Sequence, residues 1–152
     1  MTQQPAEGLP APYFEGIDQF DAMLKLTDFR GKKIALYFYP KDSTAGCTAE
    51  ACSLRDSYGL LMAKGYVIIG VSPDSLKSHK KFAGKHELPF SIIADESKKI
   101  LTDYGVWGEK QMYGRKYMGV LRTTFIIDEN GIIDKIISKV NTSQHGKQIL
   151  DL

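Results

Sequence analysis

Three runs rich in β-branched and aromatic residues, KKIALYFYP (32–40), YVIIGVS (66–72) and FSIIA (90–94), alternate with stretches of helical periodicity. No other feature constrains the fold as tightly. Runs that are apolar at nearly every position read as strands buried on both faces. Between the first two, Ala51, Leu54, Tyr58 and Leu61 recur at three- and four-residue steps, which predicts one helix over 44–64 ended by Gly65. Ser75 is placed to cap a helix over 76–86, and Pro89 separates that helix from the third run. Residues 97–104 read as another helix, and 105–119 as a glycine-rich loop. TTFIID (123–128), the turn Glu129-Asn130-Gly131 and IIDKIIS (132–138) predict a β-hairpin, with a terminal helix over 141–150. The first dozen residues, with three prolines, are expected to form an extended lead-in. Strand–helix alternation followed by a hairpin implies a three-layer α/β fold with a mixed central sheet flanked by helices. A single domain over 1–152 is expected, because neither a repeat nor a linker divides the chain.

A chain of 152 residues with 43% hydrophobic and 25% charged residues can bury a core without covalent staples. Its net charge of +2 gives no footing for nucleic acid or a membrane surface. No apolar run approaches the ~20 residues of a membrane span. The start MTQQPAEGLPAP has neither the basic nor the apolar part of a secretory signal, so a reducing, cytoplasmic location is expected. Two cysteines in such a compartment do not make a disulfide framework. His79, His86 and His145 lack ligand spacing and are expected on surfaces or helix faces, so neither metal nor other cofactor is expected. What remains is thiol chemistry, or two buried cysteines acting as small apolar residues.

The segment YFYPKDSTAGCTAEACSLRD leaves a buried strand, turns and enters a helix, with Cys47 in the helix's first turn. Unpaired N–H groups and the positive end of the helix dipole favour a thiolate there. Lowering a thiol's pKa from about 8.5 to about 6 raises the thiolate fraction at pH 7 only about thirtyfold. Some of that gain is lost again because nucleophilicity falls with pKa. Efficient cleavage of an O–O bond therefore also needs fixed donors that align a peroxide and stabilise its leaving oxygen. Thr44, backbone N–H groups near Gly46 and Cys47, and an arginine are the candidates. Thr44 can serve as a helix cap and still offer its hydroxyl outward.

The pattern Pro40-Lys41-Asp42-Ser43-Thr44-Ala45-Gly46-Cys47 resembles the peroxiredoxin active-site signature P-x-x-x-T-x-x-C. CTAEAC resembles the bacterioferritin-comigratory (peroxiredoxin Q) subgroup, and likeness continues through VIIGVSPDS, GVWGEKQMYGRKYMG and RTTFIIDENG. That resemblance implies a thioredoxin-like fold and a thiol-dependent peroxidase acting on hydrogen peroxide and organic hydroperoxides. It implies Cys47 as the peroxidatic cysteine, Cys52 as the resolving one, and Arg122 as the arginine that orients thiolate and peroxide. Thr44 would contact the peroxide, Gly46 would offer its backbone N–H, and Pro40 would shield the cysteine from water. Ala45 departs from the family, which commonly has proline there; alanine leaves this turn freer in the unfolded chain by about 0.4–1 kcal/mol.

Five residues along an ideal helix separate two Cα atoms by roughly 8.6 Å, whereas a disulfide spans about 4.4–6.8 Å. A Cys47–Cys52 bridge therefore requires the first turns of the helix to unwind. By resemblance, an external dithiol such as thioredoxin then reduces it. The spacing lets the bridge form within one chain, so a monomer is expected. Two other readings stay open. A protein thiol–disulfide oxidoreductase would favour C-x-x-C, which is missing here, and a non-enzymatic thioredoxin-like binding domain would not need Thr44, Cys47 and Arg122 together. The 105–119 loop is read as an apolar cover for the core edge, with an active-site wall or reductant contact as the alternative.

Overall fold

The computed structural model describes residues 5–152; that part of the extended lead-in lying in residues 1–4 falls outside them. The chain first forms a small antiparallel ribbon of β1 (Glu15–Ile17) and β2 (Met23–Lys25), then a 3-10 turn, Leu26–Phe29. Next come β3 (Lys33–Phe38), α1 (Ala45–Asp56), α2 (Tyr58–Ala63), β4 (Tyr66–Ser72), α3 (Leu76–His86), β5 (Ser91–Ala94) and α4 (Lys99–Asp103). The remaining elements are β6 (Trp107–Met112), β7 (Arg115–Val120), β8 (Thr123–Ile127), β9 (Ile133–Ile137), a 3-10 turn Thr142–Gln144, and α5 (His145–Leu150).

The central sheet runs β5-β4-β3-β8-β9. The three apolar runs pair in parallel, β8 lies antiparallel to β3, and β9 closes the hairpin, so the sheet is mixed as the alternation implied. Side chains alternate across a strand, and β3 uses both faces. Ile34, Leu36 and Phe38 point into a core shared with Phe14, Ile100, Leu101, Tyr104 and Phe125. Ala35, Tyr37 and Tyr39 point into the opposite core with Cys47, Ala51, Leu54, Phe82 and Ile149. Helices α1, α2, α3 and α5 cover this second face. Residues 8–10 pair with Ile132 and Ile133 beside β9, which turns the proline-rich lead-in into cover for an exposed edge.

Two elements depart from the sequence reading. The helix expected over 44–64 is broken at Ser57. A Cβ on Gly146 would lie 2.7 Å from Ser57 Cβ and 2.8 Å from the Ser53 carbonyl oxygen, so α5 crosses α1 directly at the break. The apolar stripe continues through the break, which is why periodicity did not reveal it. The loop expected over 105–119 is instead a β-hairpin over 107–120, turning at Tyr113-Gly114 with φ of 52° and 78°, as a two-residue hairpin turn demands. Glu109, Lys110, Gln111, Arg115 and Lys116 hide it from sequence, since a ribbon with both faces mostly solvated has no alternation to read. Trp107 packs against the core and the Lys98 ammonium sits 5.3 Å from its ring centroid. Among the described residues no helix is long and apolar enough to cross a membrane.

Gly70 faces Tyr37 across the β3–β4 pair, and a Cβ there would lie 2.8 Å from the Tyr37 ring and from Ile92 Cγ2. Gly70→Ala is expected to cost about 1–3 kcal/mol through overpacking, seen as a lower urea midpoint; a midpoint equal to that of the parent would show that the sheet absorbs the methyl.

Candidate active site

β3 ends beside the start of β8, with Phe38 opposite Thr123. The turn leaving β3 therefore delivers Cys47 to the same place that Arg122, one residue before β8, must occupy. Asp42 pins this turn. Its carboxylate accepts hydrogen bonds from Tyr39 Oη (2.6 Å) and Ser78 Oγ (2.8 Å), and its N–H donates to Asp74 (2.8 Å). His79 Nδ1 lies 2.6 Å from Asp42, and its Nε2 lies 3.0 Å from the Ile93 carbonyl. Asp42 is held below the ordinary carboxylate range: burial opposes this, but the His79, Tyr39 and Ser78 hydrogen bonds outweigh it. Asp42, Asp74 and His79 bring ligand-type atoms within 4.8 Å of one another, but those atoms are engaged in this knot with Tyr39, Ser72 and Ser78. The arrangement serves to anchor the loop.

Cys47 is the third residue of α1 and is 1% exposed. Thr44 is the N-cap residue but does not cap. Its Oγ1 donates instead to the Lys41 carbonyl (2.8 Å), correcting the expectation of a capping hydroxyl whose proton points outward. The first-turn N–H groups are thus left uncapped by Thr44, and its oxygen lone pairs are free to accept. Arg122 Nη2 donates to Cys47 Sγ at 3.3 Å, while Nη1 donates to Glu50 Oε1 at 2.5 Å. A Cβ on Gly46 would lie 3.3 Å from Arg122 Nη2, so a side chain there would crowd the guanidinium where it lies over this turn. Cys52 is half-buried five residues along the same unbroken helix, and both thiols are free. Pro40 follows the buried Tyr39 and is itself half-buried.

The expected residues Thr44, Gly46, Cys47 and Arg122 are thus brought together, with Pro40 at the head of the turn. Cys52 is held apart by the helix. Sequence reading missed Glu50 and His145. Cys47, Glu50, Ala51 and Leu54 form the buried stripe of α1. A carboxylate in that stripe, three residues after the cysteine, was the available signal. Glu50 is fully buried, and burial pushes its carboxyl up to about 7 although Arg122 acts to lower it. His79 and His145, expected on surfaces or helix faces, do lie on α3 and α5 but are fully buried, each closing a polar network that no local pattern announces.

The AhpC/TSA family model matches residues 8–136. Peroxiredoxin Bcp of Bacillus subtilis is 45% identical over 94% of this chain and 91% of its own length. Peroxiredoxin Bcp of Escherichia coli is 39% identical over 93% and 90%. Among solved structures, peroxiredoxin Q of Xanthomonas campestris superposes with a TM-score of 0.88 at 30% identity, covering 98% of this chain and 96% of that one. The three-layer sheet is accordingly the thioredoxin-like fold, and this chain belongs to the AhpC/TSA family as a peroxiredoxin of the Bcp (peroxiredoxin Q) type, a thiol-dependent peroxidase.

Proposed function

We propose that Cys47 attacks the peroxide and that Cys52 resolves the product within the same chain. The observation that carries this reading is the 3.3 Å contact of Arg122 Nη2 with Cys47 Sγ at an uncapped helix N-terminus. A thiolate there is stabilised by the guanidinium and by the first-turn N–H groups. Thr44, its own proton committed to Lys41, accepts the peroxide O–H, and the N–H groups of Gly46 and Cys47 hold the peroxide oxygens in line. The Cys47 sulfur bonds to the terminal oxygen as the O–O bond breaks, leaving a sulfenic acid and an alkoxide or hydroxide that takes up a proton. Arg122 stabilises the charge that develops on the leaving oxygen. Pro40 limits water at the sulfur. A related Xanthomonas protein is described as having alkyl peroxide reduction activity, which supports organic hydroperoxides alongside hydrogen peroxide as substrates.

Cys52 then displaces the sulfenic hydroxyl as water, forming the disulfide. Because α1 is unbroken from Ala45 to Asp56, its first turns must open. They have a natural stopping point. The Gly146 N–H donates to Ser53 Oγ at 3.0 Å, which ties α1 to α5 one residue beyond Cys52. A dithiol, thioredoxin in this reading, accepts the disulfide and returns both cysteines to thiols. The chain works as a monomer in a reducing cytoplasm, since neither step calls on a second subunit.

Peroxide consumption with a dithiol should vanish in Cys47→Ser, while Cys52→Ser should undergo one stoichiometric oxidation and stall; undiminished turnover in Cys47→Ser would overturn the reading. Arg122→Met should slow sulfenic acid formation about 10²–10³-fold, as loss of a fixed oxyanion donor does, measured by rapid mixing under single-turnover conditions. On oxidation, amide exchange should accelerate over residues 45–52 and stay slow from Ser53 to Asp56. Protection retained across the whole helix in the disulfide form would exclude unwinding.

A further inference from the structure

Behind the Arg122–Cys47 contact lies a second layer that the peroxide chemistry leaves unused. Glu50 gives one oxygen, Oε1, to Arg122. The other, Oε2, is buried without a hydrogen-bond donor among the described residues and lies 3.6 Å from His145 Nε2. The orientation of this imidazole can be read from its neighbours. Gln148 Oε1 accepts the Asn141 N–H (2.8 Å) while Gln148 Nε2 donates to the Lys139 carbonyl (3.1 Å), so the amide presents its oxygen to His145 Nδ1 at 2.8 Å. Nδ1 therefore carries the ring proton. Nε2 is bare and accepts from Thr124 Oγ1 at 2.7 Å. Two buried acceptors, Oε2 and Nε2, thus face each other with no hydrogen between them. At 3.6 Å they repel each other, and one added proton, on either atom, turns that repulsion into attraction.

We infer that Glu50 and His145 hold one exchangeable proton between them, and that it governs how much of Arg122's charge is left for the Cys47 sulfur. Without the proton, Glu50 is a carboxylate that neutralises Arg122 from behind. With it, Glu50 is neutral or divides its charge between Arg122 and an imidazolium, so more of the guanidinium's charge is left for the sulfur. A proton passing from the Cys47 thiol to the pair leaves the net charge of this buried cluster unchanged, which avoids the cost of adding a charge where water cannot reach.

The surroundings suit this. Burial is the main cause that pushes the Glu50 carboxyl up to about 7. Burial likewise holds His145 below the ordinary imidazole range, with Arg122 adding to the effect and Gln148 opposing it. From β3, the unpartnered Tyr37 hydroxyl is raised well above the phenol range by burial, then by the charges of Glu50, Asp42 and Cys47, so it stays neutral. Thr124 from β8 and Gln148 from α5 carry no charge. Among the described residues, Cys47 and Arg122 supply the remaining charges facing the pair, and the Asp42 carboxylate acts on Tyr37. His145 and Glu50 are positioning residues, acting through Arg122.

The inference concerns the site assigned above and uses Cys47 as its reactive thiol, but its test is separate from peroxide turnover. Coupling between two titrating groups is reciprocal, so the pair must sense whether a thiolate stands opposite. The experiment follows the His145 ring resonances against pH by NMR in the reduced full chain, in Cys47→Ser and in Glu50→Gln. Cys47→Ser removes the facing negative charge, so the His145 inflection should move at least about one pH unit lower, a tenfold loss of proton affinity. Glu50→Gln should lower it too, and Cys47→Ala supplies a second neutral replacement if the serine perturbs the turn. An inflection that ignores all three substitutions overturns the inference. In that event continued oxidation of Cys47 by peroxide would leave the proposed function standing, so the two failures are distinguishable.

Discussion

A single guanidinium ties this structure together. Arg122 spans the gap between the first turn of α1 and the start of β8, with one nitrogen on the Cys47 sulfur and the other on a fully buried carboxylate. Burial works against its charge, yet Glu50 and Cys47 more than restore it. Each member would be costly alone in that setting: a buried carboxylate, a half-buried cation, a sulfur cut off from water. Together they answer one another's charge. The fold supplies the framework that makes such mutual compensation geometrically possible.

That framework depends on one adjacency. β3 and β8 are antiparallel neighbours at the centre of the sheet, so the turn that leaves one meets the residue that enters the other. On that turn, Asp42 accepts hydrogen bonds from Tyr39 just beyond β3 and from Ser78 of α3, lies against His79, and donates its N–H to Asp74, while Thr44 folds back on Lys41. The entrance to α1 is consequently rigid on its upstream side. On its downstream side Ser53 ties it to α5, which lies across it. A segment pinned at both ends, with two thiols between the pins, is suited to opening locally without releasing the core.

The same arrangement explains why α5 matters so far from the amino-terminal half of the chain. Its Gly146 lets the two helices touch, and its His145 reaches Thr124 and the back of Glu50. Ser57 breaks the helix where that crossing occurs, while the apolar stripe runs on through Leu61. Structural and electrostatic demands thus converge on one short terminal helix.

By itself, the sequence determined the elements whose signal is local. Three continuous apolar runs became the parallel core of the sheet, Ser75 capped α3, Gly65 closed α2 with φ of 87°, and the helical stripe placed Cys47 in the first turn of α1. Side-chain period and turn chemistry act over a few residues and can be read there. Arg122 was reached only through resemblance, because nothing local marks a contact between residues 75 apart in the chain. Tertiary structure decided the rest. It selected the 107–120 hairpin, whose solvated faces carry no alternation, and it broke α1 at Ser57. It also buried His79 and His145 and turned Glu50 inward against Arg122. A charged side chain enters a core only when its partner is already there, and partners are fixed by topology rather than by spacing.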